Sequence, residues 1–385
     1  MEGGNRGLIT PDDVAEAAQR LQGVIRPTPV TRADAIGKVV GRELLLKPEQ
    51  LQRAGSFKIR GAYNLISRLP AGSSVVAASA GNHAQGVALA AHLTGLASTI
   101  FMPSTAPLPK VQATSDYGAQ IRSVDGLVEE CIVAARAYAA ETGAVFVHPF
   151  DDPLIIAGQG TIGLELLVEA PEAEVVLVPI GGGGLISGIA TALGRRARVV
   201  GIKVANPKAT MADGIAVKSP SALTTAHIDA LVDDVVTVTE EEISHAVVLL
   251  LERAKAVVEP AGAVGLAALL AGKVAGSGPA VAVLSGGNVD PLLLTKLIEH
   301  GLSAAGRYLV LRVVVRDRPG ALAELTAAVA TMGLNVLSVD HHRAGLDLAV
   351  DEVEVLLTLE TRDPEHRDEV VSSLRSAGYR VDLVR

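Results

Sequence analysis

The 385-residue sequence has no tryptophan, one cysteine, and only 4 phenylalanines and 5 tyrosines. The lone Cys131 excludes an intramolecular disulfide and any cysteine-based metal knot, and it fits a reducing, cytoplasmic setting. So few rings leave little with which to stack exposed bases. Basic residues are in the minority: 34 Lys and Arg against 42 Asp and Glu give a net charge of −8. That balance argues against nucleic acid or an anionic membrane as partner. The start, Met-Glu-Gly-Gly-Asn, lacks the basic flank and apolar run of a signal peptide. The stretch 175–194 carries no charge and is long enough to cross a bilayer. Pro179 and four consecutive glycines interrupt it, so it reads as strand, turn and helix, and no membrane span is expected.

What is present in excess is glycine, 39 residues where about 7% of a chain is usual. Apolar residues make up 49%, enough for a sizeable core built from Ala, Val, Leu and Ile. The length suggests two or three domains. Up to about residue 300, short β-branched runs (74–78, 98–102, 145–148, 174–179, 198–204, 280–285) alternate with helix-like stretches such as 84–93, 127–141 and 243–254. Strands without polar alternation, separated by helices, predict parallel sheet covered on both faces. Ligands of such sheets bind at the carboxyl ends of the strands. After His300 the rhythm changes. Residues 301–306 read as a small-residue linker, and 307–385 follow a β-α-β-β-α-β order, the ferredoxin-like plan.

Four turns carry candidate chemistry. In Gly55-Ser-Phe-Lys58-Ile-Arg-Gly-Ala, a lysine among apolar residues at a helix start loses hydration and meets an unfavourable dipole. Both effects lower its pKa toward nucleophilic behaviour; an ordinary surface lysine is the alternative. Ser79-Ala-Gly-Asn-His83 follows a strand and offers amides to a carboxylate, or is a plain capped turn. Gly181-Gly-Gly-Gly184 can cradle a phosphate through N–H groups, or simply allow tight helix–sheet packing. A Rossmann dinucleotide site fits poorly, because Ser187 stands at the third glycine position and Lys203 at the next strand tip. Ser285-Gly-Gly-Asn288 supplies a strand-end hydroxyl and a tight turn. An activated lysine, a carboxylate turn, a monophosphate cradle and a hydroxyl together suit pyridoxal phosphate and an amino acid.

At these residues the chain closely resembles the fold-type II pyridoxal-phosphate enzymes of the threonine dehydratase and serine racemase branch. GSFKIRGA (55–62), SAGNHAQG (79–86), AGQGTIGLE (157–165), GGGGLISG (181–188), ADGIAVK (212–218), VEPAGA (258–263) and SGGN (285–288) match in order. The C-terminal segment resembles an ACT domain, which points to a dehydratase rather than a racemase. The resemblance implies an α/β, two-lobed parallel-sheet catalytic domain over 1–304, with a small lobe of about 50–150 inserted in the large one, and an ACT domain over 307–385. It implies that Lys58 holds the cofactor as a Schiff base and later moves the Cα proton. It assigns Gly181, Gly182, Gly183, Gly184 and Leu185 to the phosphate, Phe57 to the cofactor's surroundings, Asn82 to the ring hydroxyl and Ser285 to the ring nitrogen. Ser79, Gly81, Asn82 and His83 would hold the substrate carboxylate. A neutral Ser285 makes the ring a weaker electron sink, which suits expulsion of a β-leaving group.

Two positions depart from the relatives. Ala80 stands where racemases carry a serine base, so racemisation is not expected. Lys203 stands where metal-activated relatives carry Glu, and no metal is expected. In the ACT segment, Asp317, Gly320, Leu322 and Asn335 are candidates for an isoleucine or valine effector, between the turn and a neighbouring domain. The expected activity is elimination of ammonia from L-threonine and L-serine, giving 2-oxobutanoate and pyruvate, as the first step of isoleucine biosynthesis, in a homodimer or homotetramer. A serine-preferring or degradative dehydratase is the enzymatic alternative. A non-catalytic amino-acid sensor is the alternative of another class, although a sensor has no need of a Schiff-base lysine.

Overall fold

The computed structural model describes residues 7–216, 220–342 and 348–384. Two compact units divide at Pro291/Leu292, ahead of the domain boundary expected near residue 304. Among the described residues no helix is long and apolar enough to cross a membrane.

The first unit holds two sheets. The larger runs in the spatial order Thr31–Arg32, Leu44–Lys47, Ala280–Val283, Val175–Pro179, Arg198–Val204, Asp234–Val238. Its neighbours are parallel except for the two-residue edge strand Thr31–Arg32. The smaller sheet, Gln120–Val124, Ala97–Pro103, Ser74–Ala78, Val145–Phe146, is parallel throughout. Val175–Pro179 and Ala280–Val283 are buried at every position, as β-branched strands covered on both faces should be. The runs expected over 145–148 and 280–285 leave their sheets early, after Phe146 and Val283. The residues that follow are thereby released toward the cleft between the sheets.

Each sheet has its own core. One gathers Val176, Val178, Ile186, Ile189 and Val281; the other gathers Val75, Ala77, Val87, Ala88 and Ile100. Phe57 belongs to the first and Ile59 to the second, so Lys58 stands at the seam. Its helix, Lys58–Ile66, is pinned by a buried ionic network. Arg60 pairs with Glu49 at 2.7 Å, both fully buried, and with Glu165, which also holds the buried Lys47 at 2.6 Å.

Two expectations need correction. The helix expected over 243–254 is α-helical only as Glu240–Leu249, after which Leu250–Ala254 widens into a π turn closed by Lys255 at φ +56°. Apolar spacing does not distinguish i+4 from i+5 bonding, so the sequence pattern carries no sign of the change. The linker expected over 301–306 is mostly helix, because Pro291–Ala304 continues through it. Proline opens that helix, alanine and serine tolerate it, and Gly301 is buried within it.

The second unit is β-α-β-β-α-β as expected. Strands Val336–His342, Glu352–Glu360, Tyr308–Arg316 and Arg380–Leu383 lie in that order, all antiparallel. Helices Ala321–Thr331 and Pro364–Ser376 connect them. Leu309, Leu311, Val313, Leu325, Val355, Leu357 and Leu374 form its core.

Candidate active site

The cleft of the first unit collects the carboxyl ends of strands from both sheets. Lys58 begins its helix half-buried, and its amine donates to the Pro149 carbonyl at 3.0 Å. Burial lowers its pKa to about 8, with the charge of Glu259 opposing. The Phe57 ring lies 5.0 Å from the amine. Phe57 N–H donates to the carbonyl of Ser285, which ties the lysine's helix to the end of strand Ala280–Val283. Ser285 itself is buried there.

The glycine turn follows Val175–Pro179 and opens helix Gly184–Leu193. Gly183 sits at φ +90°, and a Cβ on Gly182 would lie inside the Phe150 ring. Thr224 Oγ1 donates to the Gly182 carbonyl at 2.8 Å and steadies the turn. This helix start is buried and no side chain caps it. Helix-initial N–H groups without partners are costly to bury, and an anion satisfies them. The turn therefore fits a phosphate, with Gly182 to Leu185 as its cradle.

A second uncapped helix start faces the same cleft, at Asn82–Thr94. Ser79 Oγ accepts from Gly81 N–H at 3.1 Å, which shapes the turn. His83 is buried and its ring meets the Val147 carbonyl at 2.9 Å. Burial and the nearby Lys58 hold its pKa near 3, so the ring is neutral and engaged, and what His83 offers a ligand is its main-chain N–H.

Sequence reasoning stopped short of several residues the cleft contains. His148, Pro149 and Phe150 follow a strand end, the place already marked for chemistry. His148 Nδ1 accepts from Asp151 N–H at 2.8 Å, and its ring stacks edge-on at 4.6 Å from Phe150. Burial lowers its pKa to about 4. Glu259, the lone acid in an apolar run, is buried beside Asn82, and burial together with Asp213 pushes its carboxyl up to about 7. Of the ADGIAVK motif, residues 217 and 218 lie outside the described residues. Lys203 is half-buried near the end of its strand, and no described cluster of acids, histidines or cysteines could hold a metal.

A lysine with a depressed pKa facing two uncapped helix starts is what a phosphate-bearing aldehyde and an amino-acid carboxylate together require, and the comparisons agree. Residues 21–286 match the family model described as pyridoxal-phosphate dependent enzyme. The chain belongs to that family. Residues 309–378 match the ACT domain model. The chain is 45% identical to the L-threonine ammonia-lyase of Thermotoga maritima, over 98% of this chain and all of the relative. It is 47% identical to that of Geobacter sulfurreducens, over 97% of this chain and 98% of the relative. Among solved structures, the threonine deaminase of T.th. superposes with a TM-score of 0.69 at 38% identity, over 73% of this chain and 99% of that one. Maize serine racemase gives 0.72 at 36% identity, over 77% and 99%.

In the second unit, an ACT domain, Gly320 at φ +92° precedes helix Ala321–Thr331, and Leu322 packs on the core. Asp317 N–H donates to the Asp351 carbonyl at 2.8 Å, at the same end of the sheet. Asn335 is not with them. It bonds Glu360 at 3.1 Å, beyond the far end of the nine-residue strand Tyr308–Arg316, about 30 Å away. There it lines a groove of about 780 Å³ with Arg307, Arg362 and His366.

Proposed function

We propose that the chain is a threonine ammonia-lyase that converts L-threonine to 2-oxobutanoate and ammonia, and L-serine to pyruvate. The observation that carries the reading is the convergence of a half-buried Lys58, its pKa lowered to about 8, with two uncapped helix starts in one cleft. When bound, pyridoxal phosphate supplies an electron-withdrawing ring that acidifies the Cα proton of an attached amino acid. The chain's own residues do the rest. Gly182 to Leu185 anchor the phosphate with their N–H groups, and the Ser79–His83 turn orients the substrate carboxylate. Ser285 presents a neutral hydroxyl to the ring nitrogen. Lys58, with a pKa near 8, takes the Cα proton from one face. Ala80 offers no acid on the other face, which disfavours racemisation. The β-hydroxyl would leave with a proton as water, and the resulting enamine takes up one water to release the 2-oxoacid and ammonia.

The ACT domain and the near full-length likeness to ammonia-lyases support a regulated, biosynthetic enzyme in the cytoplasm, with isoleucine or valine as effector at the Asp317–Leu322 turn. The open edge strand Val336–His342, with Val336, Leu337 and Val339 exposed, supports assembly as a homodimer or homotetramer. Steady-state kinetics on L-threonine and L-serine, with and without isoleucine and valine, test both parts. Lys58→Ala should abolish 2-oxobutanoate release; unchanged turnover refutes the role of Lys58.

A further inference from the structure

Asn82 starts a helix of the small lobe, yet both ends of its amide are held by the large lobe. Its Nδ2 donates to Glu259 Oε1 at 2.7 Å, and its Oδ1 accepts from Asn288 Nδ2, also at 2.7 Å. Asn288 Nδ2 also donates to the Ala54 carbonyl at 2.8 Å. These contacts have a direction. A backbone carbonyl can only accept, so the nitrogen of Asn288 must face Ala54. The same nitrogen then faces Asn82, whose oxygen must be the acceptor, and its nitrogen is left for the carboxyl of Glu259. An asparagine amide has two N–H bonds; one is spent on Glu259 and one remains.

Two glycines of the sequence motifs exist to admit this chain of contacts. A Cβ on Gly286 would strike the Glu259 carboxyl and lie 3.0 Å from Asn82 Nδ2. A Cβ on Gly55 would strike the Asn288 amide. Ala54, at φ +56°, holds an unusual backbone conformation four residues before Lys58, and its carbonyl is the fixed end of the chain. Glu259 stands at the cap position of helix Pro260–Leu270 but makes no cap bond, because its carboxyl is turned to Asn82. The charges around it are Asp213, paired with Lys110 at 2.7 Å, and Lys58.

We propose that Glu259 and Asn288 are positioning residues that fix the amide of Asn82 across the cleft, reserving one N–H as a donor to the cofactor's ring hydroxyl. The inference rests on the placement of that hydroxyl at Asn82. Without the two partners the amide could turn over and present an acceptor instead.

The test reads the visible absorption of the cofactor-loaded protein and the pH midpoint of that band, beside cofactor affinity and far-ultraviolet circular dichroism. Asn288→Asp keeps the shape but offers an acceptor to an acceptor; it should shift the midpoint by about one pH unit, the loss of one hydrogen bond to a titrating group. Asn82→Ala should shift it in the same direction. Glu259→Gln still accepts from Asn82 and should keep the wild-type midpoint, whereas Glu259→Ala should lose it. Where Glu259→Ala does not hold the cofactor, the contrast between Glu259→Gln and Asn288→Asp decides alone. If Asn82→Ala shifts the midpoint while Asn288→Asp matches wild type, the positioning role is overturned. If Asn82→Ala also matches wild type, the placement of Asn82 falls and the inference with it.

Discussion

Lys58 and Glu259 are ionisable groups that the fold withdraws from water, the first in part and the second almost wholly, and each titrates where its environment puts it. The amine of Lys58, lowered to about 8, becomes reactive some two to three pH units earlier than an ordinary lysine. Stopped-flow reconstitution of the cofactor-free protein should therefore quicken about tenfold per unit as pH rises toward 8, then level off. A rate still climbing between pH 9 and 10 would contradict this. Glu259 has the opposite sign. Its native pKa of about 7 exceeds the ordinary 4.5, so between these values the native state binds more protons than the unfolded one. Unfolding free energy then falls as pH rises through the window, and above 7 the buried charge is a standing cost. Glu259→Gln removes it. In urea titrations of cofactor-free protein, the variant should gain on wild type by up to about 3 kcal/mol between pH 4 and pH 8.

Helix Gly184–Leu193 illustrates how one element serves binding at its start and packing along its length. Gly182→Ala would push a methyl into the Phe150 ring beside the phosphate cradle. Overpacking of this kind costs about 1–3 kcal/mol, so cofactor affinity should drop roughly tenfold or more, as equilibrium dialysis would measure. Gly188→Ala acts elsewhere on the same helix. Its methyl would meet Ile156 and Gly160 on helix Pro153–Glu169. It should lower thermal stability more than cofactor affinity. The helix of Lys58 depends on ions instead of small residues. Arg60→Ala leaves Glu49 charged and fully buried without its partner. Breaking such a pair typically costs about 3–5 kcal/mol, which chemical denaturation would register.

At the scale of the whole molecule, two units each carry their own core and their own candidate ligand. A ligand that binds only the native state stabilises what it binds, by about 2.7 kcal/mol at a hundredfold excess over its Kd. Hydrogen exchange should place these gains. Pyridoxal phosphate should slow exchange at Val178 and Leu185, next to the glycine turn. The effector amino acid should slow it at Leu309, Leu311 and Leu357 of the antiparallel sheet. Isoleucine and valine leaving those amides unchanged would refute effector binding to the ACT domain.

Much of this was legible from local pattern. β-branched runs between alanine-rich stretches report a parallel sheet because burial on both faces removes polar alternation. Residues 308–315 alternate only loosely, with Leu309, Leu311, Val313 and Val315 buried on one face, as in a strand covered chiefly on that side. Contiguous glycine-bearing motifs single out Lys58 and the turns at 79–83 and 181–184 as candidates, because each can be read without knowing what lies across the cleft. Asn335 shows the limit, because two candidates chosen together by resemblance, Asn335 and Asp317, lie at opposite ends of one sheet. The sequence by itself thus determined the strand and helix pattern of the parallel sheets, the order of the motifs and the candidacy of Lys58. Only the tertiary structure decided that Glu259, 177 residues from Asn82, holds its amide, and that Pro149 receives the Lys58 amine. It also decided that the His83 ring is occupied. The reason is physical: a local run of residues encodes propensity and periodicity, whereas burial, the direction of a hydrogen bond and the pKa it sets come into being only when distant segments meet.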